Sequence, residues 1–321
     1  MSHYTHLSIE EREKSGVMLE QGMSIRVIAH ILGRSPSTIS REFKRNSYAN
    51  GSYAAHHAQK KYLKRKSNCG RKAVLKHNQE IRNYVIQRLK LRWTPEQISG
   101  RAKFEKQAFS ISYNTIYRAV HSGILPIEIK KIMRFMNKHK KHKSTNDNRG
   151  KIPNTVNISQ RPSGCTNRSR FGHFESDTVL GMRKTGLLGT HVERKSGFLV
   201  AFKLETKTDT EFSNKTIQAF ETIPDKLKKS FTVDNGKEFA MHEYIKQNTG
   251  MDVYFCDPYS PWQRGTNENT NGLLRQFFPK GSSFKNITDE SLKEVVDMIN
   301  NRPRKRLGYK TPLEVLSKFF E

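Results

Sequence analysis

The sequence predicts a multidomain protein of α plus α/β class, in which N-terminal tandem helix-turn-helix modules precede a mixed-sheet core with helices on both faces. Three observations carry this. Up to about residue 137, apolar residues recur three and four apart between capping residues and Gly or Pro stops, the pattern of short amphipathic helices. From about Arg170 the period changes to two, in short runs parted by Gly-containing turns, and further on strands alternate with helices. Charge is the third: the formal net charge is +28 and the pI ≈ 10.1. Residues 1–150 hold 31 Lys/Arg against 10 Asp/Glu, a net of +21, whereas residues 151–321 hold 27 against 20, a net of +7. A basic first half suits a polyanion, and a second half that keeps its acids has another use for them.

No apolar run approaches the roughly 18 residues of a membrane span, and the N-terminus lacks the apolar stretch of a secretory signal. A cytoplasmic protein with no membrane partner is expected. Cys69, Cys165 and Cys256 are scattered, with no Cys-x-x-Cys pair, so they read as reduced thiols rather than disulfide or zinc partners.

The chain opens with a helix over 8–20, capped by Ser8 and stopped at Gly22. A second starts at Ser24, with Val27, Ile28, Ile31 and Leu32 as its buried side, and ends at Gly33. In the next run Ser35 stands as cap, Pro36 as first helical residue, and Ile39 and Phe43 face inward four apart. Two short helices joined by a glycine turn, the second basic outside, form a helix-turn-helix whose last helix fits the major groove of DNA. Ser37, Thr38, Arg41, Lys44 and Arg45 are left outward. Arg41 suits bidentate pairing with guanine, and Lys44 and Arg45 suit phosphates. The plainer reading, a packing module with an incidental basic face, leaves the concentration of charge unexplained.

Residues 56–76 are basic and nearly free of acids, and read as a solvated connector. A second helical module spans 77–137: a helix over 78–91, a capping box from Thr94 to Gln97 opening a helix that buries Ile98 and Ala102, and a third helix with Ile116 and Val120 inward and Asn114, Thr115 and Arg118 outward. Residues 138–169 read as a linker. His139 and His142 stand in its cationic run, which would repel a metal ion.

The core is expected over 170–285. Strands at 174–180, 189–193 and 198–204 form a meander, followed by a helix over 209–222, a strand ending at Asp234, a helix over 238–247, a strand over 252–256, and a helix from Arg264 or Gly265 stopped by Pro279 and Gly281. Residues 286–321 make a C-terminal helical segment, with Val295, Val296 and Ile299 as the apolar stripe of its helix over 289–301 and a packing tail over 309–319.

Three acids stand out. Asp177 and Asp234 each stand at the end of a short apolar strand, Asp234 before the Asn235-Gly236 turn, and Glu268 sits in the first turns of a helix. In that helix Leu273, Leu274 and Phe277 bury one side, while Glu268, Asn271 and Arg275 share another. Alone, Glu268 reads as a solvated carboxylate favoured by the helix dipole. If the fold brings the three together, their repulsion demands a cation, and hard oxygen ligands select magnesium or manganese. Two such ions about 3.5 to 4 Å apart hold the attacking and leaving oxygens of a phosphodiester displacement. Glu175, two residues from Asp177, fits an electrostatic neighbour or a ligand, and Glu238 a helix-start residue. Arg275 and Lys280 suit DNA phosphates near the metals, and Asn235 and Asn271 suit orienting roles.

The runs Gly172-His-Phe-Glu-Ser-Asp177-Thr-Val-Leu-Gly181, Val192-Glu-Arg-Lys-Ser196, Asp234-Asn-Gly-Lys-Glu-Phe239, the block from Pro258 to Arg275, and Asn301-Arg-Pro-Arg-Lys305 resemble the bacterial insertion-sequence transposases of the thirty family. The likeness runs over nearly the whole chain. Between Asp234 and Glu268 lie 33 residues, the interval of that family; Phe174 and Ser176 depart from its usual Trp and Gly. The resemblance implies two helix-turn-helix modules in tandem and an RNase-H-like catalytic core. It also implies that Asp177, Asp234 and Glu268 bind two magnesium or manganese ions without a small-molecule cofactor. The implied activity is cleavage of the terminal inverted repeats of a mobile element and joining of the 3′-hydroxyl ends to target DNA. Both ends must meet at one site, so a homo-oligomer, at least a dimer, is expected. A non-catalytic DNA-binding regulator is the alternative, and the intact acid trio argues against it.

Overall fold

The computed structural model describes residues 5–69, 72–133, 152–258 and 260–320, and the chain divides into two units, residues 1–73 and 74–321. The first unit contains α1 (Ile9–Glu20), α2 (Ile25–Ile31), α3 (Pro36–Asn46) and α4 (Ala55–Asn68). Its helix starts follow local chemistry. Ser8 and Glu11 form a reciprocal capping box, the Ser8 N–H donating to Glu11 at 2.7 Å, and Ser24 caps α2 through the Val27 N–H. Ser35 precedes α3 but does not cap it; its hydroxyl meets that of Ser37 at 2.9 Å.

Leu7, Ile28, Ala29, Ile39, Phe43, Tyr53 and Ala58 form the core of this unit. Two expectations change here. Val27 and Ile31 are exposed, because the short α2 turns Ile28 and the adjacent small Ala29 inward instead. The stretch expected to be a solvated connector over 56–76 begins as α4, which packs on α1 and α3. Its inner side is Ala58 together with Gln59, whose Oε1 accepts from Arg12 at 2.6 Å. Arg12 is 2% exposed and also holds Glu42 at 2.8 Å and the Leu7 carbonyl at 2.7 Å. The buried cation is thus met by acceptors from three elements, α4 included.

The second unit opens with α5 (Val74–His77), α6 (Gln79–Lys90), α7 (Pro95–Phe104), α8 (Tyr113–His121) and α9 (Ile127–Ile132), packed around Ile81, Val85, Leu89, Ile98, Ile116 and Val120. The Thr94–Gln97 capping box forms as expected. Most of the basic run at 138–152, with His139 and His142, lies outside the described residues. Then follow β1 (Val156–Asn157), α10 (Ser163–Thr166), β2 (His173–Leu180), β3 (Leu187–Glu193), β4 (Leu199–Leu204), α11 (Asp209–Glu221), β5 (Ser230–Val233), α12 (His242–Thr249), β6 (Asp252–Phe255), α13 (Gly265–Leu274), α14 (Asp289–Asn300) and α15 (Pro312–Ser317).

The sheet order is β1-β6-β5-β2-β3-β4. Strands β2, β3 and β4 are an antiparallel meander, and β5, β6 and β1 extend it in parallel from β2. This is the mixed sheet expected of an RNase-H-like core. One face packs Phe174, Phe231, Val233 and Phe255 on Phe212 and Phe220 of α11 and Ile245 of α12. The other packs Val179, Leu188, Val192 and Leu199 on Leu273 and Leu274 of α13 and on α14. The segment 152–169, expected as linker, supplies edge strand β1 and buries Cys165. The helix expected from 238 is a 3₁₀ turn over Lys237–Phe239 and then α12, and α13 ends at Leu274, before Pro279.

The last segment packs on the helical module at 77–133. Arg101 of α7 forms a two-pronged ion pair with Glu314 at 2.6 and 2.8 Å, and Arg302, 1% exposed, donates to Gln97 at 2.9 Å. The Tyr309 ring lies where a Cβ on Gly100 would stand, 2.1 Å from its Cε1, so only glycine permits this approach. The boundaries expected after 137, 169 and 285 are therefore crossed by packing.

Two measurements check this fold. A fragment of residues 1–55 is expected to melt at lower temperature by circular dichroism than one of residues 1–73, because it lacks the α4 side of the core. The second concerns pH. Burial holds His191 neutral, lowering its pKa to about 3, and lowers His173 to about 4, whereas in the unfolded chain both protonate near 6.5. Their stabilisation is full above pH 6.5 and is lost as pH falls toward 4 and 3. Near pH 5 these two groups contribute a slope of up to about 2.7 kcal/mol per pH unit. Denaturant titrations from pH 7 to 4.5 should show His191→Asn with a slope shallower by about one proton than the parent.

Candidate active site

Strand β2 alternates its side chains between faces, so Glu175, Asp177 and Val179 turn toward α13 while Phe174 and Ser176 turn toward α11. The Ser176 hydroxyl meets His191 Nδ1 at 2.6 Å on the α11 side. Strands β2 and β5 pair in parallel with Phe174 opposite Phe231 and Glu175 opposite Thr232. Carried two residues further, the same register sets Asp177 opposite Asp234. Neighbouring strands lie about 4.8 Å apart, so the two carboxylates are close by construction.

Arg264 is the cation that answers them. It stands directly before α13, with its Nη2 2.8 Å from Asp234 Oδ2, its Nη1 3.3 Å from Asp177 Oδ1, and Nη1 also donating to the Ser176 carbonyl at 3.1 Å. Burial would lower its pKa, but the two aspartates outweigh burial and raise it. Burial pushes the Asp177 carboxyl above its ordinary value; Arg264 and the Thr178 N–H oppose this, and Asp234 adds to it. Asp177 Oδ2 accepts from Asn271 Nδ2 at 3.0 Å, and Asp234 Oδ1 accepts from the Gly236 N–H at 2.9 Å. Asn271 therefore has the orienting contact expected of it. Asn235 instead ties two strand ends together, donating to the Cys256 carbonyl at 3.0 Å.

Glu268 is exposed, three residues before Asn271 and hence one turn away on the same side of α13. What fixes that helix is Glu175. Its carboxylate, 0% exposed, pairs with Arg194 and accepts from the backbone N–H of Asn267 at 2.8 Å. Arg264 at the N-cap position offers α13 no side-chain cap, and Glu175 reaches from β2 to supply one. Asn267 returns the contact, its Nδ2 donating to the Glu175 carbonyl at 3.0 Å. Thr190 of β3 lies between, within 3.2 Å of Asn267 and Asn271. The strand of Asp177 and the helix of Glu268 are thus pinned to each other by buried polar groups.

Glu238 is also buried. It accepts from the Thr178 hydroxyl at 3.0 Å and pairs with Lys207 at 3.0 Å, which is more than a helix-start role. A Cβ on Gly236 would stand 2.5 Å from Glu238 and 2.9 Å from Asp234, so the loop after β5 needs glycine for these acids to lie so near. The ligand atoms that Asp177 and Asp234 themselves offer are carboxylate oxygens, which fit magnesium or manganese rather than zinc. Among the described residues, no three His, Cys, Asp or Glu side chains are gathered tightly enough to hold an ion. The guanidinium of Arg264 stands in the interval between the two aspartates.

The expected DNA contacts lie elsewhere. On α3, Ser37, Arg41, Lys44 and Arg45 are exposed and Thr38 is half-buried. On α8, Asn114 and Arg118 are exposed, while Thr115 is half-buried and bonded to the Ser112 cap. Lys280 is exposed. Arg275 differs from its expected outward role: its Nη2 donates to the Leu180 carbonyl at 2.8 Å and its Nη1 is buried without a partner. The helix carrying it ends at Leu274, which turns the guanidinium back on β2.

Arg264, Glu175, Asn267 and Thr190 escaped the sequence reading as a working set. The signal for Arg264 was present, since it stands four residues before Glu268, one helical turn.

A helix-turn-helix domain family matches residues 3–46. The transposase InsI of insertion sequence element IS30C from Escherichia coli (strain K12) is 39% identical over 98% of this chain and 84% of its own length. The transposase of IS4351 from Bacteroides fragilis is 40% identical over 96% of this chain and 94% of its own. That of IS1086 from Cupriavidus metallidurans is 35% identical over 98% and 95%. A solved catalytic core domain of BIV integrase aligns with 46% of this chain and 94% of its own at 19% identity and a TM-score of 0.36, too slight a likeness to bear on mechanism. The alignments to these three transposases cover 96% to 98% of this chain, and by them the chain belongs to the IS30 family of insertion-sequence transposases.

Proposed function

We propose that the protein is the transposase of a mobile element, which binds the element's terminal inverted repeats, cleaves phosphodiesters at its ends and joins the resulting 3′-hydroxyls to target DNA. The observation that carries this is the convergence of Asp177 and Asp234 on one guanidinium, that of Arg264, at the start of the helix that bears Glu268. In this reading Asp177, Asp234 and Glu268 hold magnesium or manganese, two ions per site. When bound, such ions lower the pKa of the attacking water and offset charge on the leaving oxygen.

The chain's own residues do the rest. Asn271 and the Gly236 N–H fix one oxygen of each aspartate, so the carboxylates present defined lone pairs. Glu175 keeps α13 in register with β2, which fixes the distance between Glu268 and Asp177. Lys280, exposed beyond α13, suits a DNA phosphate, and Arg275 braces the Leu180 end of β2 nearby. DNA is held by α3 of the first unit, with Arg41 reading a base and Lys44, Arg45 and the hydroxyls of Ser37 and Thr38 on phosphates. On α8, Asn114, Thr115 and Arg118 add a second contact. One chain has one acid trio, and two ends must be cut and joined together, so the working species is a homo-oligomer, at least a dimer.

Asp177→Asn, Asp234→Asn and Glu268→Gln should each slow magnesium-dependent strand cleavage of the terminal repeats more than about 10³-fold, some 4 kcal/mol of barrier, with repeat binding unchanged in gel-shift assays. Cleavage retained by the Glu268→Gln protein would remove Glu268 from the trio. In the same gel shifts, Arg41→Ala is expected to cost about 1 to 3 kcal/mol on the specific repeat and to relax preference, whereas Lys44→Ala should weaken all sequences alike.

A further inference from the structure

The position of Arg264 is unusual in three respects. It occupies the N-cap of α13, the positive end of a helix dipole, where a cation is disfavoured. Its side chain is only 15% exposed although residue 265 beside it is on the surface. Its two terminal nitrogens are divided between Asp177 and Asp234, with one oxygen of each aspartate held by a separate donor. A long, flexible side chain accepts burial against a dipole only if the carboxylates it joins repel each other more strongly without it.

From this geometry we infer that Arg264 is the internal counter-cation of the active site: it bridges Asp177 and Asp234 in the metal-free protein and is displaced from them when a divalent cation binds. The inference rests on the reading of these two aspartates as cation ligands. Asp177 Oδ2 and Asp234 Oδ1 already accept from Asn271 and the Gly236 N–H, so a divalent ion held by these aspartates would compete with the guanidinium for Asp177 Oδ1 and Asp234 Oδ2. Arg264 thereby offsets the repulsion between the two aspartates and sets a threshold that metal must overcome. The turn that carries it, Pro261–Arg264, is a short 3₁₀ segment, and nothing lies within 4 Å of where a Cβ on the adjoining Gly265 would stand, so this turn is flanked by open space.

The test is Mn²⁺ binding by calorimetry to the full chain, with melting temperatures in EDTA and in Mn²⁺, for the parent, Asp234→Asn, Arg264→Gln and Arg264→Lys. Asp234→Asn tests the metal reading by itself: it should abolish the site, and parent-like Mn²⁺ binding would mean that the ion sits elsewhere. Given that loss, Arg264→Gln should bind Mn²⁺ about tenfold more tightly, equal to about 1.4 kcal/mol. It should also melt lower in EDTA and gain more from Mn²⁺ than the parent does. Arg264→Lys keeps the charge but cannot span both aspartates, so it too should bind more tightly, by a smaller factor; removal of general repulsion would leave it equal to the parent. Unchanged or weaker binding in the lysine variant, with Asp234→Asn still inactive in binding, overturns the inference and leaves the metal reading standing. If Arg264→Gln folds only in Mn²⁺, the displacement is supported, and if it does not fold at all, the lysine variant decides.

Discussion

Repulsion between Asp177 and Asp234 is the constraint around which the second unit is arranged. The parallel pairing of β2 with β5 sets them side by side, and two unit charges about 5 Å apart repel by about 3 kcal/mol at an effective dielectric of 20. The local chain relieves this only in part, through the Thr178 and Gly236 N–H groups. Relief comes from a residue 30 positions further on, Arg264, and the helix that follows it must therefore start at this place and no other. Glu175 then anchors the start of that helix, and Leu273 and Leu274 anchor its far end in the apolar core, each burial contributing about 2 kcal/mol. The polar pin and the apolar seat act on the same helix from opposite ends.

The two faces of the sheet divide the labour. The α11 side is aromatic, with Phe202, Phe212, Phe220 and Phe231 around His191, and the ring is kept neutral by burial. The α13 side carries the acids and their partners. Because β2 alternates, a single strand serves both, and a one-residue slip of its register would exchange Asp177 for Ser176 or Thr178. The antiparallel pairing of seven β2 residues with β3 guards against that slip. The C-terminal segment extends this frame: Arg302 and Glu314 join the last residues to α7, so the 77–133 module is built onto the core's own tail.

Much of this was legible in the sequence where a local rule decides. Ser8, Ser24 and Thr94 announced helix starts, the strand period gave the meander, and Asp234 marked the end of its strand, whereas Asp177, expected at a strand end, lies inside β2. The second side of α2 was misread because Val27 and Ile31 are as apolar as Ile28, and only packing against α3 chooses between them. The basic run after residue 55 concealed a helix because its inner side offers little apolar signal beyond Ala58, its other anchor being the polar Gln59. Residues 152–169 look like linker because β1 is two residues long and is stabilised by β6, nearly a hundred residues away. The polar set around the acids was legible only at Glu175, beside Asp177, because its partners Arg194, Asn267 and Thr190 mean nothing until the sheet brings them together.

The most direct measurement is an anomalous-scattering crystal structure of the full chain soaked in Mn²⁺. The expected result is manganese signal coordinated by Asp177 and Asp234, with Glu268 turned toward it and the Arg264 guanidinium no longer between the aspartates. Manganese bound away from these carboxylates, or bound at them with Arg264 still bridging both, would contradict the account.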